Sequence, residues 1–295
     1  SVSGVSGSGK STLVFDILAD PAAPRRSAEN AVSGLEQFDQ LVTIEQAAIT
    51  RMKRSNVATY SDVYTHIRKI FGALPDARAK GLTDRHFSFN TPGGRCENCQ
   101  GLGYVTSNML FFENQDVVCP VCGGNQFNDQ VLSVQYHEHS IKGILLLNVE
   151  EALELFKGHA QIRRILSLLQ DVGLGYLELG QTLTTLSGGE GQRLKLAKEL
   201  INSRGKKTLY LMDEPTVGLH PLDVENFLVL LNRMVDNGNT VIVVEHNQQV
   251  IRASDWVVDL GPEGGNKGGR VVFTGTPADL ARSAESFTAR YLDKG

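Results

Sequence analysis

Gly4-Val5-Ser6-Gly7-Ser8-Gly9-Lys10-Ser11 matches G-x-x-x-x-G-K-[ST] in full, and nothing else in the chain limits its fold as sharply. A strand must deliver the chain to such a loop and a helix must leave it. The glycines let backbone N–H groups wrap phosphates, Lys10 reaches the β and γ oxygens, and Ser11 binds Mg²⁺. Thr12 to Leu18 then opens a helix whose N-terminus faces the same anion. Only Ser1, Val2 and Ser3 precede the loop, too few for the strand that leads into it. The sequence therefore reads as a fragment, or as the second half of a longer chain.

A second phosphate-type element is Leu186–Ile201, LSGGEGQRLKLAKELI. Ser187, Gly188 and Gly189 read as a turn before a helix whose apolar stripe is Leu194, Leu196, Ala197, Leu200 and Ile201. Such a turn leaves the N–H groups of the first helical turn free for an anion, with Ser187, Gly188, Gly189 and Glu190 as candidate contacts, although an ordinary capped helix is the plainer alternative. Two apolar runs end in acids. Thr208–Met212 leads to Asp213-Glu214-Pro215, where Asp213 can join a Mg²⁺ shell and Glu214 can polarise an attacking water. Thr240–Val244 leads to Glu245-His246, which makes His246 a candidate γ-phosphate sensor. Leu41–Ile44, Trp256–Leu260 and Arg270–Thr274 read as further short strands.

All four cysteines fall in two pairs, Cys96/Cys99 and Cys119/Cys122, nineteen residues apart. That spacing fits a closed four-thiolate zinc site of structural type, and argues for a reducing, cytoplasmic compartment rather than for disulfides. Net charge is 29 − 33 = −4, so a nucleic-acid surface has to be local. Arg51 to Arg95 carries nine Lys/Arg against three Asp/Glu, starting at the basic loop Arg51-Met52-Lys53-Arg54-Ser55-Asn56. A solvated face and a phosphate-backbone surface both explain that excess. Thr59 with Asp62 suits the start of a helix continuing through Val63, Ile67, Ile70 and Phe71. Asn148 with Glu151 suits a capping pair for Val149–Lys157, and Ile162–Val172 reads as another helix. No apolar run is long enough to cross a bilayer.

Phosphate loop, Gln46, LSGGE, Asp213-Glu214 and His246 follow one another as in the ATP-binding-cassette ATPases. RSN-x-ATY at Arg54–Tyr60, the paired CxxC, LYLMDEPTVGLHP and VIVVEHNQQVIRASDWVVDLGPEGG narrow the resemblance to the second nucleotide-binding half of the UvrA family. The chain departs from that pattern at Glu45, Ala47–Thr50, Val57 and Gly191.

The resemblance implies an α/β ABC-type core interrupted by a mainly helical signature domain that carries the zinc module. The expected parts are 1–60 and 205–295 for the core and 61–204 for the insert, with the zinc module at about 90–130. It implies ATP, Mg²⁺ and Zn²⁺ as bound species and Gln46 as the link between nucleotide state and insert. It also implies Arg51, Arg54, Ser55 and Asn56 near double-stranded DNA, no membrane, and a UvrB-type repair partner. ATP would lie between two cassettes, with Gly4–Thr12, Asp213, Glu214 and His246 of one facing Ser187–Glu190 of the other. The second cassette is then another copy or an absent N-terminal half. Besides an excision-repair ATPase, two alternatives share these motifs. One is a UvrA-like antibiotic self-resistance ATPase acting on drug-bound DNA. The other is a nucleotide- and zinc-binding assembly module with little turnover alone.

Overall fold

The computed structural model describes residues 1–20, 32–45, 54–107, 115–202 and 205–292. Gln46 and Arg51 lie outside the described residues. Among those described run the strands β1 (Val2–Gly4), β2 (Gln40–Ile44), β3 (Tyr104–Ser107), β4 (Gln115–Val118), β5 (Gln135–Tyr136), β6 (His139–Ser140), β7 (Thr208–Asp213), β8 (Thr240–Val244), β9 (Val257–Gly261) and β10 (Arg270–Gly275). The α-helices are α1 (Val57–Tyr60), α2 (Val63–Ala73), α3 (Pro75–Ala79), α4 (Asp129–Leu132), α5 (Ile141–Leu146), α6 (Val149–Leu155), α7 (Ala160–Asp171), α8 (Gly188–Asn202), α9 (Pro221–Asp236), α10 (Gln248–Ala253), α11 (Pro277–Leu280) and α12 (Ala289–Leu292). Contacts divide the chain into two units. The first holds Ser1–Ile49, Asp171–Gly173 and Ser187–Gly295, the second Thr50–Gln170 and Leu174–Leu186.

The first unit is built on a six-stranded sheet in the order β10-β9-β1-β8-β7-β2, parallel except for β10. Strands buried on both faces read as unbroken apolar runs, and β7 is such a strand: Leu209, Tyr210, Leu211 and Met212 are all buried. Each contributes about 1.5–3 kcal/mol relative to an exposed position. Leu209 and Leu211 share one cluster with Val2, Val14, Val244 and Leu260, which fastens β1 and its following helix to the sheet. Register places Val2 and Asp213 opposite Val244, and Gly4 opposite Leu260. The carboxyl ends of β1, β7, β8 and β9 therefore meet at one edge, where ligands of open parallel sheets bind.

Two local expectations are revised here. Residues Thr12–Leu18 do form a helix, but a π-type one, closing with Ala19 N–H on the Val14 carbonyl at 3.1 Å. Helix α8 starts at Gly188, so the two glycines are its first turn and not a loop ahead of it. Its contacts also group α8 with the first unit, whereas the sequence-based division placed everything to residue 204 in the insert. The reason is polar. Gln192 and Lys195 donate to the Ile44 and Thr43 carbonyls of β2, at 3.2 and 2.8 Å. Residues 54–60, set with the core by the same division, fall in the second unit, where Val57 and Ala58 N–H bind the Gln181 and Leu179 carbonyls.

The second unit is mainly helical, with the short hairpins β3–β4 and β5–β6. Val63, Ile67 and Phe71 form the buried stripe of α2, and the Phe71 ring lies 5.3 Å from that of Phe87. Ile162, Ile165, Leu166 and Leu169 do the same for α7. Asn148 and Glu151 form the expected capping box of α6. The Thr59/Asp62 start is a correction. Asn56 caps α1 and Thr59 is its reciprocal partner, while Asp62 sits at φ 66 ahead of α2 without a side-chain cap.

Candidate functional site

Contrary to the expectation that too few residues precede the loop for a strand, Val2–Gly4 form β1, which delivers the chain into the loop Gly4–Ser11, in which Gly4, Gly7 and Gly9 have φ of 131, 74 and 94. Lys10 is buried and its ammonium donates back to the Gly4 and Val5 carbonyls, at 3.1 and 3.0 Å. Burial pushes Lys10 below its ordinary pKa, and the carboxylates of Glu214, Asp259 and Asp213 push it back up. Ser6, Gly7, Ser11 and Thr12 are exposed, so the rim of the loop is open to an anion.

Asp213 ends β7. Burial raises its pKa first, the charges of Glu214 and Glu45 add to that, and Lys10 opposes them. Glu214 follows at φ 43, a left-handed conformation that costs a non-glycine residue about 1–3 kcal/mol. Its backbone is held there by Glu214 N–H on the Val244 carbonyl at 2.9 Å and by Val217 N–H on the Glu214 carbonyl at 3.1 Å. The side chain comes within 3.6 Å of His246 Nε2. The sheet edge thus collects the loop lysine, both acids and His246. Asp213 is a hard oxygen donor whose charge the apo protein disfavours, which suits a divalent cation such as Mg²⁺ shared with Ser11.

At the start of α8 the Ser187 hydroxyl accepts from Glu190 N–H (3.2 Å), and the Glu190 carboxylate accepts from Ser187 N–H (2.7 Å). That is a capping box. Farther along, Gln192 also donates to the Asp213 carbonyl, and Arg193 donates to the Val217 carbonyl at 3.2 Å. The signature helix is therefore bonded directly to the turn that carries the acid pair.

In the second unit, the sulfurs of Cys96, Cys99, Cys119 and Cys122 all lie within 4.8 Å of one another. The Cys96–Cys119 and Cys99–Cys122 separations are 3.9 and 3.7 Å, too long for disulfides. Four sulfurs tetrahedrally placed about 2.3 Å from zinc are about 3.8 Å apart, so the donor set fits that ion. Gly103 N–H donates to Cys99 Sγ (3.3 Å) and the Asn98 amide to Cys119 Sγ (3.2 Å). Hydrogen bonding, from the Cys122 backbone before all, pulls the Cys119 thiol down to about 6, while burial pushes Cys122 up to about 12. Bound zinc would hold all four as thiolates.

The basic loop is only partly displayed. Arg54 is exposed and donates to the Gln100 carbonyl at 3.0 Å, beside the zinc module. Ser55 accepts from Leu183 N–H through its carbonyl. Asn56 is buried and its amide is committed to the α1 cap.

Two buried acids escaped the sequence-based reading. Glu245 accepts from Thr216 N–H (3.0 Å) and its hydroxyl (2.6 Å), and from the N–H groups of His246 (2.9 Å) and Asn247 (3.0 Å). It fastens the turn after Glu214 to the segment bearing His246. Asp259 accepts from the hydroxyls of Ser3 (2.7 Å), Ser286 (2.6 Å) and Thr288 (2.8 Å). An acid inside an apolar run, as in WVVDLG, was the available signal, since a buried carboxylate requires partners.

Comparison with known proteins agrees with this geometry. The family profile described as "ABC transporter" matches residues 96–217. UvrABC system protein A of Aquifex aeolicus is 47% identical over 300 residues, covering 99% of this chain and 32% of that protein. The protein of the same name from Methanothermobacter thermautotrophicus is 49% identical over 298 residues, covering 99% and 31%. The crystal structure of UvrA2 from Deinococcus radiodurans superposes with a TM-score of 0.87 at 49% identity, covering 99% of this chain and 36% of that one. The chain spans about a third of the length of the curated relatives it matches.

Proposed function

The chain belongs to the UvrA family of ATP-binding-cassette proteins, and we propose that it is one nucleotide-hydrolysing half of a DNA-acting ATPase of that family. The observation that carries this reading is the meeting of Lys10, Asp213, Glu214 and His246 at one sheet edge. Gly4–Thr12 holds the phosphates; Ser11 and Asp213 would hold Mg²⁺, which would supply neutralisation of the phosphate charge. Glu214, fixed by its backbone bonds, orients a water in line with the γ-phosphorus and draws its proton. As the new P–O bond forms, the bond to the β–γ bridging oxygen breaks, leaving ADP and phosphate. His246 senses the γ-phosphate, and Gln46 links the nucleotide state to the insert.

Ser187–Glu190 serves a nucleotide held by a second cassette, because this turn at the start of α8 belongs to a different element from the loop that holds the chain's own phosphates. The four cysteines hold one structural zinc. Arg51, Arg54 and Ser55 serve as contacts for the phosphates of duplex DNA, and Asn56 caps α1. Among the described residues no helix is long and apolar enough to cross a membrane. ATP turnover per chain should rise with protein concentration and saturate as pairs form. A constant specific rate down to concentrations where sizing shows only monomer would defeat this reading.

A further inference from the structure

We infer that the glycine-rich turn at residues 262–269, which follows β9, is an outer brace that aims the N–H groups of the phosphate loop. The inference rests on the nucleotide reading above and adds positioning residues to it. Gly265 N–H donates to the Gly7 carbonyl and Gly269 N–H to the Ser8 carbonyl, both at 3.0 Å. In a trans peptide the C=O and the following N–H point in opposite directions. Pinning the Gly7 and Ser8 oxygens outward therefore turns the N–H groups of Ser8 and Gly9 inward. Ser8 N–H closes the loop on the Val5 carbonyl at 3.2 Å, and Gly9 N–H is left facing the anion position. Three further loop carbonyls are engaged, those of Gly4 and Val5 by Lys10 and that of Gly9 by Leu13 N–H. Carbonyls kept out of the cradle are what an anion requires.

The brace depends on close approach. A Cβ on Gly264 would stand 2.6 Å from the Ser6 carbonyl oxygen, and one on Gly268 would stand 2.7 Å from the Glu263 carbonyl oxygen of the turn itself and 3.1 Å from Ser8 Cα. Their φ of −89 and −88 are open to any residue, so alanine is excluded by the phosphate loop at Gly264, and by the turn's own Glu263 carbonyl together with Ser8 at Gly268, and not by backbone strain. The turn itself is exposed and closes with Gly268 N–H on the Gly265 carbonyl at 2.9 Å, beside the exposed Lys267–Glu263 ion pair.

The test measures equilibrium binding of ADP and of inorganic pyrophosphate to the full chain, with the melting temperature of the nucleotide-free protein alongside. Gly264→Ala and Gly268→Ala should each weaken both ligands at least tenfold and by the same factor, with the apo melting temperature held. Asn266→Ala and Lys267→Ala, in the same turn, should stay within twofold. Hydrogen exchange of the unmutated chain supplies a check independent of variant folding: ADP should slow exchange of the 263–269 amides. Unchanged ligand affinity in both alanine variants, or unchanged exchange, overturns the brace. A loss for ADP without one for pyrophosphate also overturns it, because the turn would then touch the nucleoside. If the unmutated chain binds no ADP, or binds it equally well as Lys10→Ala, the nucleotide reading itself fails.

Discussion

Replacing Glu245 by Gln should cost the first unit about 2–3 kcal/mol, although the side chain keeps its size. Glu245 is 2% exposed and its two oxygens accept four hydrogen bonds. A carboxamide has one acceptor oxygen, which can serve either the Thr216 pair or the His246 and Asn247 pair. With its nitrogen turned toward Thr216, the hydroxyl can rotate and accept, but Thr216 N–H is orphaned. One orphaned buried N–H costs about 1–3 kcal/mol, and the bonds that survive lose their charge assistance. Glu245→Ala, which strands all four donors, should cost about 4 kcal/mol or more. These are large fractions of a total stability of about 5–15 kcal/mol. The assay is urea unfolding followed by the fluorescence of Trp256, the chain's single tryptophan, which lies in the same unit. Because Glu245 ties the Glu214 turn to His246, nucleotide affinity through Lys10 should survive Glu245→Gln while turnover falls. A Gln variant within about 0.5 kcal/mol of the parent, the range of an ordinary surface substitution, would refute the network.

The other expectations concern the metal sites, the acid pair and the basic loop. Protein purified without chelator should carry one zinc per chain. Cys96→Ser should lower that content and loosen the second unit, since structural zinc contributes an apparent ~10–16 kcal/mol; full stability without zinc would sink the assignment. Asp213→Asn should stabilise the nucleotide-free protein at pH 7. The folded pKa of Asp213 lies above its ordinary value, so ionisation weakens the native state above the carboxylate range, and the variant's advantage should vanish as pH falls through that range. The same variant should lose Mg²⁺-dependent nucleotide binding, whereas Glu214→Gln should keep binding and lose hydrolysis; a Gln variant with normal turnover would show that another group orients the water. Arg54→Ala should weaken binding to all duplex sequences alike and flatten the log–log salt slope by about 0.9. Indifference to the change would return Arg54 to the solvated face.

The strands were legible because buried parallel strands are written as plain apolar runs. Leu41–Ile44, Thr208–Met212 and Thr240–Val244 lie within one residue of the observed β2, β7 and β8. Cysteine spacing predicted a cluster that the fold closes to within zinc-binding distance. What escaped was set by choices among equivalent local partners. Asn56 and Thr59 are both competent caps, and only the pairing of Val57 and Ala58 N–H with the Gln181 and Leu179 carbonyls places the helix start at Val57. Gly188-Gly189 reads as a loop because glycine disfavours helices, yet the Ser187–Glu190 box and the bonds of Gln192 hold it helical. Glu245 and the turn after β9 act through backbone groups brought together from distant segments, which leaves no local pattern to find.

The central claim, that two cassettes complete each other's sites, is tested most directly by mixing two inactive variants. Ser187→Arg blocks the signature turn and leaves the phosphate loop able to bind ATP; Lys10→Ala disables the loop and leaves the signature turn intact. Neither alone should hydrolyse ATP. An equimolar mixture should recover about a quarter of the parent rate, since half of random pairs are mixed and each holds one intact composite site. No recovery in a mixture that sizing shows to be paired, or full activity in Ser187→Arg by itself, would contradict the account.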